Sequence, residues 1–184
     1  MTTLYLFPTR EEAAELLTRR ADLKPQVGFV GVGMAEAGAN AAALIAHYRP
    51  KRVVLCGIAG ACDRAQIRIC DVVQVIRDRV AGLPEKYSVY YTSPNLEGVD
   101  RYVNSVTVNR VGESVDDEWV KDTLQMFIEQ MEGAAVAAAC RAMGVEEYYH
   151  IRAISNYVDD ARSAWRIADA VKALARAVER LEFE

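Results

Sequence analysis

The sequence predicts an α/β protein: three layers, α/β/α, around a central mixed and largely parallel sheet. Three observations carry that expectation. Short apolar or alternating runs recur between longer segments of helical period over most of the 184 residues. Two of the runs lead through glycine-bearing turns directly into small-residue helices, at Gly31-Val32-Gly33 and at Gln130-Met131-Glu132-Gly133. The composition, 52 % apolar and 26 % charged, suits a folded chain with a real core, read as one domain over 1–184.

Leu4 to Phe7 is a short apolar strand ended by Pro8-Thr9. Thr9 can cap the following helix, Arg10 to Ala21, whose buried side is supplied by Leu16 and Leu17. Glu12 stands three residues after Thr9, the spacing of a capping box, so spacing alone assigns its carboxylate to the helix start. Val27 to Val32 is the second strand and Met34 to Tyr48 the second helix. Gly31, Gly33 and Gly38 between and within them resemble a dinucleotide fingerprint only loosely, because the third glycine falls two positions late. They admit either a close ligand or a close helix contact. Arg52 to Leu55 is a third strand running into Cys56-Gly57-Ile58-Ala59-Gly60-Ala61-Cys62. That small-residue tract fits a flat ligand against the backbone and a tight crossing in the core equally well.

Val72 to Ile76, introduced by Asp71, is a further strand. The pattern loosens from Arg77 to Tyr102, punctuated by Gly82, Pro84, Pro94 and Gly98, with an aromatic patch at Tyr87 to Tyr91. Ser105 to Asn109 alternates as a strand does, and Ser114 to Asp117 opens a helix expected to reach Gln125. From Met126 the reading is a strand end, the turn at Gln130 to Gly133, a helix over Ala134 to Met143 stopped by Gly144, and a strand over Tyr148 to Ile154. One long amphipathic helix follows, with Ala164, Ile167, Ala168, Val171, Leu174, Ala175, Val178 and Leu181 recurring at three and four. Asp159 and Asp160 read as its caps.

Net charge is -4 with both signs interspersed, which gives no support to nucleic-acid or anionic-membrane binding. No apolar run reaches the length of a membrane span, and the first residues lack a basic region and a small-residue cleavage site. Cys56, Cys62, Cys70 and Cys140 form no C-x-x-C pair, and His47 and His150 stand alone. The reading is buried free thiols in a reducing cytoplasm, with no metal site and no cofactor. Two polar side chains remain where strands end, the carboxylate of Glu132 and the amide of Asn156. Ligands of open α/β sheets bind at the carboxyl ends of strands, and both side chains belong to that side.

With these segments in place the chain resembles the nucleoside phosphorylase and nucleosidase superfamily. Gly31-Val32-Gly33 with its small-residue helix is similar to the first ligand-side turn of that family. Cys56-Gly57-Ile58-Ala59-Gly60 is similar to its G-x-A-G turn beside base and sugar. Gln130-Met131-Glu132-Gly133-Ala134-Ala135 and Arg152-Ala153-Ile154-Ser155-Asn156 resemble its M-E-G/A-x-A and R-x-I-S-D/N pair. The region Arg77 to Trp119 matches little, and the chain is shortened between Glu12 and Val27, where other members have additional strands. Within the superfamily, Ile154-Ser155-Asn156 followed by Ala161-Arg162-Ser163-Ala164-Trp165-Arg166-Ile167 is most similar to the futalosine hydrolase branch. Methylthioadenosine/adenosylhomocysteine nucleosidases usually carry Asp at the position of Asn156.

The resemblance implies hydrolysis of the N-ribosyl bond of a purine nucleoside in a homo-oligomer, a dimer favoured, with Tyr87, Tyr90 and Tyr91 as candidate subunit contacts. It implies that Gly33, Ile58, Ala59, Gly60, Met131, Glu132 and Ser155 bind the substrate and that Glu12 and Asn156 act on it. Glu132 would accept hydrogen bonds from the ribose 2′ and 3′ hydroxyls, with Met131 on the sugar, and Glu12 would serve the attacking water. Asn156 cannot be an acid; its amide can donate to N7 or accommodate a 6-oxo group, which favours hypoxanthine as the leaving base. The leaving-group proton then lacks an obvious source, with Asp159 or Asp160 through water set against their capping role. Phosphorolysis is the near rival, but Cys70 stands where phosphorylases place a phosphate-binding arginine, and Arg68 and Arg10 are the cations nearby. Adenine release, and a relative that binds a nucleoside without turnover, are the remaining rivals.

Overall fold

The computed structural model describes residues 3–62, 64–121, 126–181 and 183. Among them are eight strands and five α-helices: β1 (Thr3–Phe7), α1 (Arg10–Arg19), β2 (Val27–Phe29), α2 (Met34–Tyr48), β3 (Arg52–Ala61), β4 (Val72–Val80), β5 (Tyr91–Thr92), β6 (Tyr102–Thr107), α3 (Glu118–Lys121), β7 (Phe127–Gln130), α4 (Gly133–Ala142), β8 (Glu147–Tyr157) and α5 (Ile167–Glu179). A 3-10 segment, Ala21–Gln26, fills the stretch between α1 and β2.

The three layers follow from strand alternation, which sends successive side chains to opposite faces. On β1, Tyr5 and Phe7 point to one side and meet Leu16 of α1 and Leu174 and Val178 of α5. Leu4 and Leu6 point to the other side and meet Ala41 and Ile45 of α2 and Val136 and Cys140 of α4. The two helix pairs thus cover the two faces of β1, β3 and β8. The α2–α4 contact is close because both helices carry small residues; a Cβ at Gly38 would lie 3.5 Å from the Cβ of Ala135.

The sheet is mixed and largely parallel. β2, β1, β3 and β8 pair in parallel in that order. Beyond them the strands curl into a ring. β8 pairs antiparallel with β4, β4 pairs parallel with β6, and β6 pairs parallel with β7. β7 returns antiparallel to the far end of β3 through Gly60↔Glu129 and Ala61↔Ile128. Strands as long as β3, β4 and β8, with 10, 9 and 11 residues, twist enough to serve different neighbours at their two ends. Ile67, Val75, Val103, Ile128 and Ile154 fill the ring.

Several expected boundaries shift. β3 runs unbroken through Cys56 to Ala61, so the tract expected as a turn is strand, lengthened because β7 and β8 both pair with it. β4 continues through Arg77 to Val80, with a register shift between Val75 and Arg77 that hides its alternation. The helix expected from Ser114 is a 3-10 turn, Glu113–Asp116, then the single turn α3; residues 122–125 lie outside the described residues. α5 begins at Ile167. Asp159 and Asp160 do not cap it: both bind Arg64, at 2.6 and 2.9 Å, and Asp160 also accepts from the Tyr157 N–H. The four cysteines are free thiols, Cys56 and Cys140 buried.

Candidate functional site

A cavity of about 420 Å³ opens where β1, β3, β7 and β8 end, between the start of α1, the turn before α4 and the segment leading to α5. Eight of the nine residues singled out above line it: Glu12, Ile58, Ala59, Gly60, Met131, Glu132, Ser155 and Asn156. Gly33 stands behind that lining and donates its N–H to Glu132 Oε1 at 3.2 Å. With φ at 88°, Gly33 occupies backbone space that a side chain would strain. The contact sets the N-terminus of α2 against a carboxylate, the favourable sense for a helix dipole.

Thr9 caps α1 by accepting the Glu12 N–H at 3.2 Å. The Glu12 carboxylate bridges the helix start and the sheet: its Oε1 accepts from the Thr9 hydroxyl at 3.3 Å and its Oε2 accepts the Ile58 N–H at 3.1 Å. Burial pushes the Glu12 carboxyl up to about 7; the Arg152 guanidinium pulls it down and the Glu132 carboxylate raises it further. The approach of Glu12 to β3 requires Gly57, because a Cβ there would lie 2.7 Å from Glu12 Oε2 and closer still to Arg152 Nη1.

Arg152 is the centre of the arrangement, and it is not among the site residues expected from the sequence. It is 1 % exposed and donates through Nη1 to Ile58 O (3.1 Å), through Nη2 to Glu132 Oε2 and Gln130 Oε1 (both 3.2 Å), and through Nε to His150 Nε2 (2.7 Å). Glu132, itself buried, is therefore held by a guanidinium on one oxygen and a helix N-terminus on the other. The signal is present in Arg152-Ala153-Ile154-Ser155-Asn156, but a strand residue flanked by apolar neighbours reads as packing until the opposite side of the cavity is known.

At the end of β8 the register with β3 jumps from Ala59↔Ile154 to Gly60↔Asn156. The extra residue is Ser155, and this bulge brings successive residues, Ser155 and Asn156, to the same cavity. Ser155 Oγ donates to Asn156 Oδ1 at 2.8 Å, and Asn156 Nδ2 donates to Tyr157 O at 2.8 Å. These contacts fix which end of the amide is which and leave one N–H of Nδ2 unspent. Trp165 and Arg162 form the outer rim, the guanidinium 4.0 Å from the indole centroid. Asp159, Asp160, Arg68 and Cys70 are not among the lining residues.

No family profile matches the chain. A futalosine hydrolase of Thermus thermophilus is 51 % identical to it over 55 residues, 29 % of this chain and 24 % of that protein, so the match spans about a quarter of the curated relative. Among solved structures, a futalosine hydrolase mutant of Helicobacter pylori superimposes with a TM-score of 0.81 at 16 % identity, covering 97 % of each chain. A 5′-methylthioadenosine/S-adenosylhomocysteine nucleosidase of the same organism, complexed with a pyrrolopyrimidine-bearing pyrrolidinol, superimposes equally well, at 0.81 and 14 % identity over 97 % of this chain and 96 % of that one. A 5′-methylthioadenosine nucleosidase of Arabidopsis thaliana gives 0.78 at 14 % identity over 97 % of this chain and 93 % of that one. The chain has the fold of these nucleosidases.

Proposed function

We propose that the chain is a purine nucleosidase of the futalosine hydrolase type. It hydrolyses the N-ribosyl bond of futalosine, or of a related 6-oxopurine nucleoside, and releases hypoxanthine, in cytoplasmic menaquinone biosynthesis. The observation that carries the reading is the convergence of two buried carboxylates, Glu12 and Glu132, on one cavity with Arg152 between them.

The chemistry divides between the two carboxylates because their surroundings differ. Glu12, raised to about 7, is a stronger base than an ordinary carboxylate and takes the proton of a water as its oxygen bonds to the anomeric carbon. The C1′–N9 bond breaks, its electron pair leaves with the base, and the base takes up a proton from solvent to depart as hypoxanthine, while Glu12 returns its proton to solvent. Glu132 is held as an acceptor by Arg152 and Gly33 and binds the 2′ and 3′ hydroxyls beside the developing positive charge of the sugar. Met131 lies against the sugar. Asn156 offers its remaining N–H to N7 or to the 6-oxo group, and Ser155 keeps the amide from turning. Ile58, Ala59 and Gly60 form the flat wall for the base.

The 51 % identity over 55 residues to a futalosine hydrolase favours the 6-oxopurine over adenine. The equal superposition on a methylthioadenosine nucleosidase keeps adenine release as the second reading. Both are decided by chromatography of the base released from futalosine, inosine and methylthioadenosine, with and without phosphate. Hypoxanthine from futalosine without phosphate is the expected result. Adenine from methylthioadenosine alone would overturn the substrate, and release only with phosphate would overturn hydrolysis. The same reading includes a homo-oligomer, a dimer favoured. Of the candidate contacts, Tyr87 is 63 % exposed, whereas Tyr90 packs edge-on against Trp119 with Arg77 over its ring. Sedimentation at micromolar concentration reports the subunit count.

A further inference from the structure

Behind the cavity lies a second polar cluster that touches no ligand space. We infer that His150 and Asp78 are positioning residues: an inner imidazole–carboxylate pair that acts through Arg152 and Gln130 to hold Glu132 in place for the ribose hydroxyls. The inference rests on the role given to Glu132 above.

His150 and Asp78 are 1 % and 2 % exposed, and neither lines the cavity. Arginine is never deprotonated in a protein, so the 2.7 Å contact from Arg152 Nε makes His150 Nε2 an acceptor. The ring proton therefore sits on Nδ1. That N–H faces Asp78, with Nδ1 4.0 Å from Oδ2. His150 Nδ1 and Asp78 Oδ1 are both buried polar atoms without a partner among the described residues, and they belong to neighbouring side chains. A buried donor or acceptor left without a partner is costly, because its hydrogen bond to water is lost and not replaced. Nδ1 stands 4.0 Å from the Oδ2 of the carboxylate whose other oxygen is unspent, so a small shift or a bridging water would join the two side chains as a couple. A residue that only packed the strand would be apolar and carry no such cost.

Two routes lead from this couple to Glu132. One runs through His150 to Arg152 and on to Glu132 Oε2. The other runs through Gln130, whose Nε2 donates to Asp78 Oδ2 at 3.1 Å and whose Oε1 accepts the backbone N–H groups of Glu132 (2.8 Å) and Gly133 (2.6 Å). Thr107 donates to the same Asp78 oxygen at 2.9 Å and accepts the Ala134 N–H at 2.8 Å. Backbone and carboxylate of Glu132 are thus both referred to Asp78. Gly133 seals the cluster, because a Cβ there would strike Asp78 Oδ2 and His150 Cε1.

The test uses the whole chain and two readouts. The protein has two histidines, so ¹⁵N imidazole spectra are assignable with His47→Gln. His150 is expected as the neutral Nδ1–H tautomer from pH 5 to 8; the Nε2–H tautomer, or an imidazolium in that range, would overturn the pair. The second readout is the affinity for inosine relative to 2′-deoxyinosine, by calorimetry in a Glu12→Gln background so that ligand is not consumed. His150→Asn, which removes the acceptor for Arg152, and Asp78→Asn should each reduce that preference on the order of tenfold, the scale of a small misplacement. His150→Gln, whose Oε1 can occupy the place of Nε2, should restore most of it. An unchanged preference in all three variants would also overturn the pair. If neither these nucleosides nor futalosine binds the parent protein, the functional reading fails, and the tautomer still decides whether the couple exists.

Discussion

The sharpest residue-scale consequence concerns Glu12, whose carboxyl is raised from an ordinary value of 4.5 to about 7. As the base, it must be ionised, so kcat/KM for base release should rise with pH and level off above about 7. Glu12→Gln should lower that rate about 10²–10⁴-fold. Its effect on stability has the opposite sign. The folded state binds this proton more tightly than the unfolded chain, so the stability that Glu12 contributes is fully present below pH 4.5 and is lost as pH rises through about 7. Each pH unit between those two values corresponds to about 1.4 kcal/mol, so Glu12→Gln should raise Tm at pH 8 by several degrees and change it little at pH 4.5. A Tm that falls with the activity would mean that Glu12 acts only as part of the helix start. Glu132→Ala should abolish the preference for a ribonucleoside over its 2′-deoxy analogue. An unaltered rate of base release would remove Glu132 from the sugar site. Glu132 and Asn156 are legible in the sequence as unpaired polar groups at the ends of apolar runs. Arg152 and His150 are not, because nothing in a strand's own alternation says that it borders a carboxylate 20 residues away in sequence.

At the scale of elements, two glycines separate packing from function. Gly38 sits in α2 where a Cβ would make ordinary contact with Ala135, so Gly38→Ala should stabilise the helix by about 0.5–1 kcal/mol and leave activity unchanged. Gly57 sits in β3 where a Cβ would collide with Arg152 and crowd Glu12, so Gly57→Ala should disrupt the site and cost about 1–3 kcal/mol. Denaturant midpoints and base-release rates on the two variants check both outcomes, and the glycines are expected to behave oppositely. Helix α5 can be placed from its periodicity because one apolar face covers the sheet, whereas α2 and α4 are placed by the glycine turns before them and their runs of small residues. β3 and β4 read too short in sequence because their far halves pair with other strands and carry small or charged residues that look like loop.

For the whole molecule, α1 and α5 cover one sheet face and α2 and α4 the other, so neither helix pair has a core of its own. One cooperative unfolding transition is expected, and two calorimetric transitions would count against a single domain. Leu174, fully buried between α5 and the sheet, is a probe of that coupling: Leu174→Ala should cost about 2–5 kcal/mol and lower the whole transition. The ring from β3 through β8, β4, β6 and β7 back to β3 gives the cavity a rigid floor, since β3, β7 and β8 each contribute residues to both.

By itself the sequence determined the α/β class, the two helix layers and the polar groups set at strand ends, because periodicity, glycine turns and stranded polar residues are local properties of a chain. The tertiary structure alone decided that five strands close a ring, that the Glu12 carboxylate reaches from the helix start to β3, and that Arg152 stands between two carboxylates with His150 and Asp78 behind it. Those outcomes depend on which distant segments meet and on how costly it is to leave a buried polar atom unpaired.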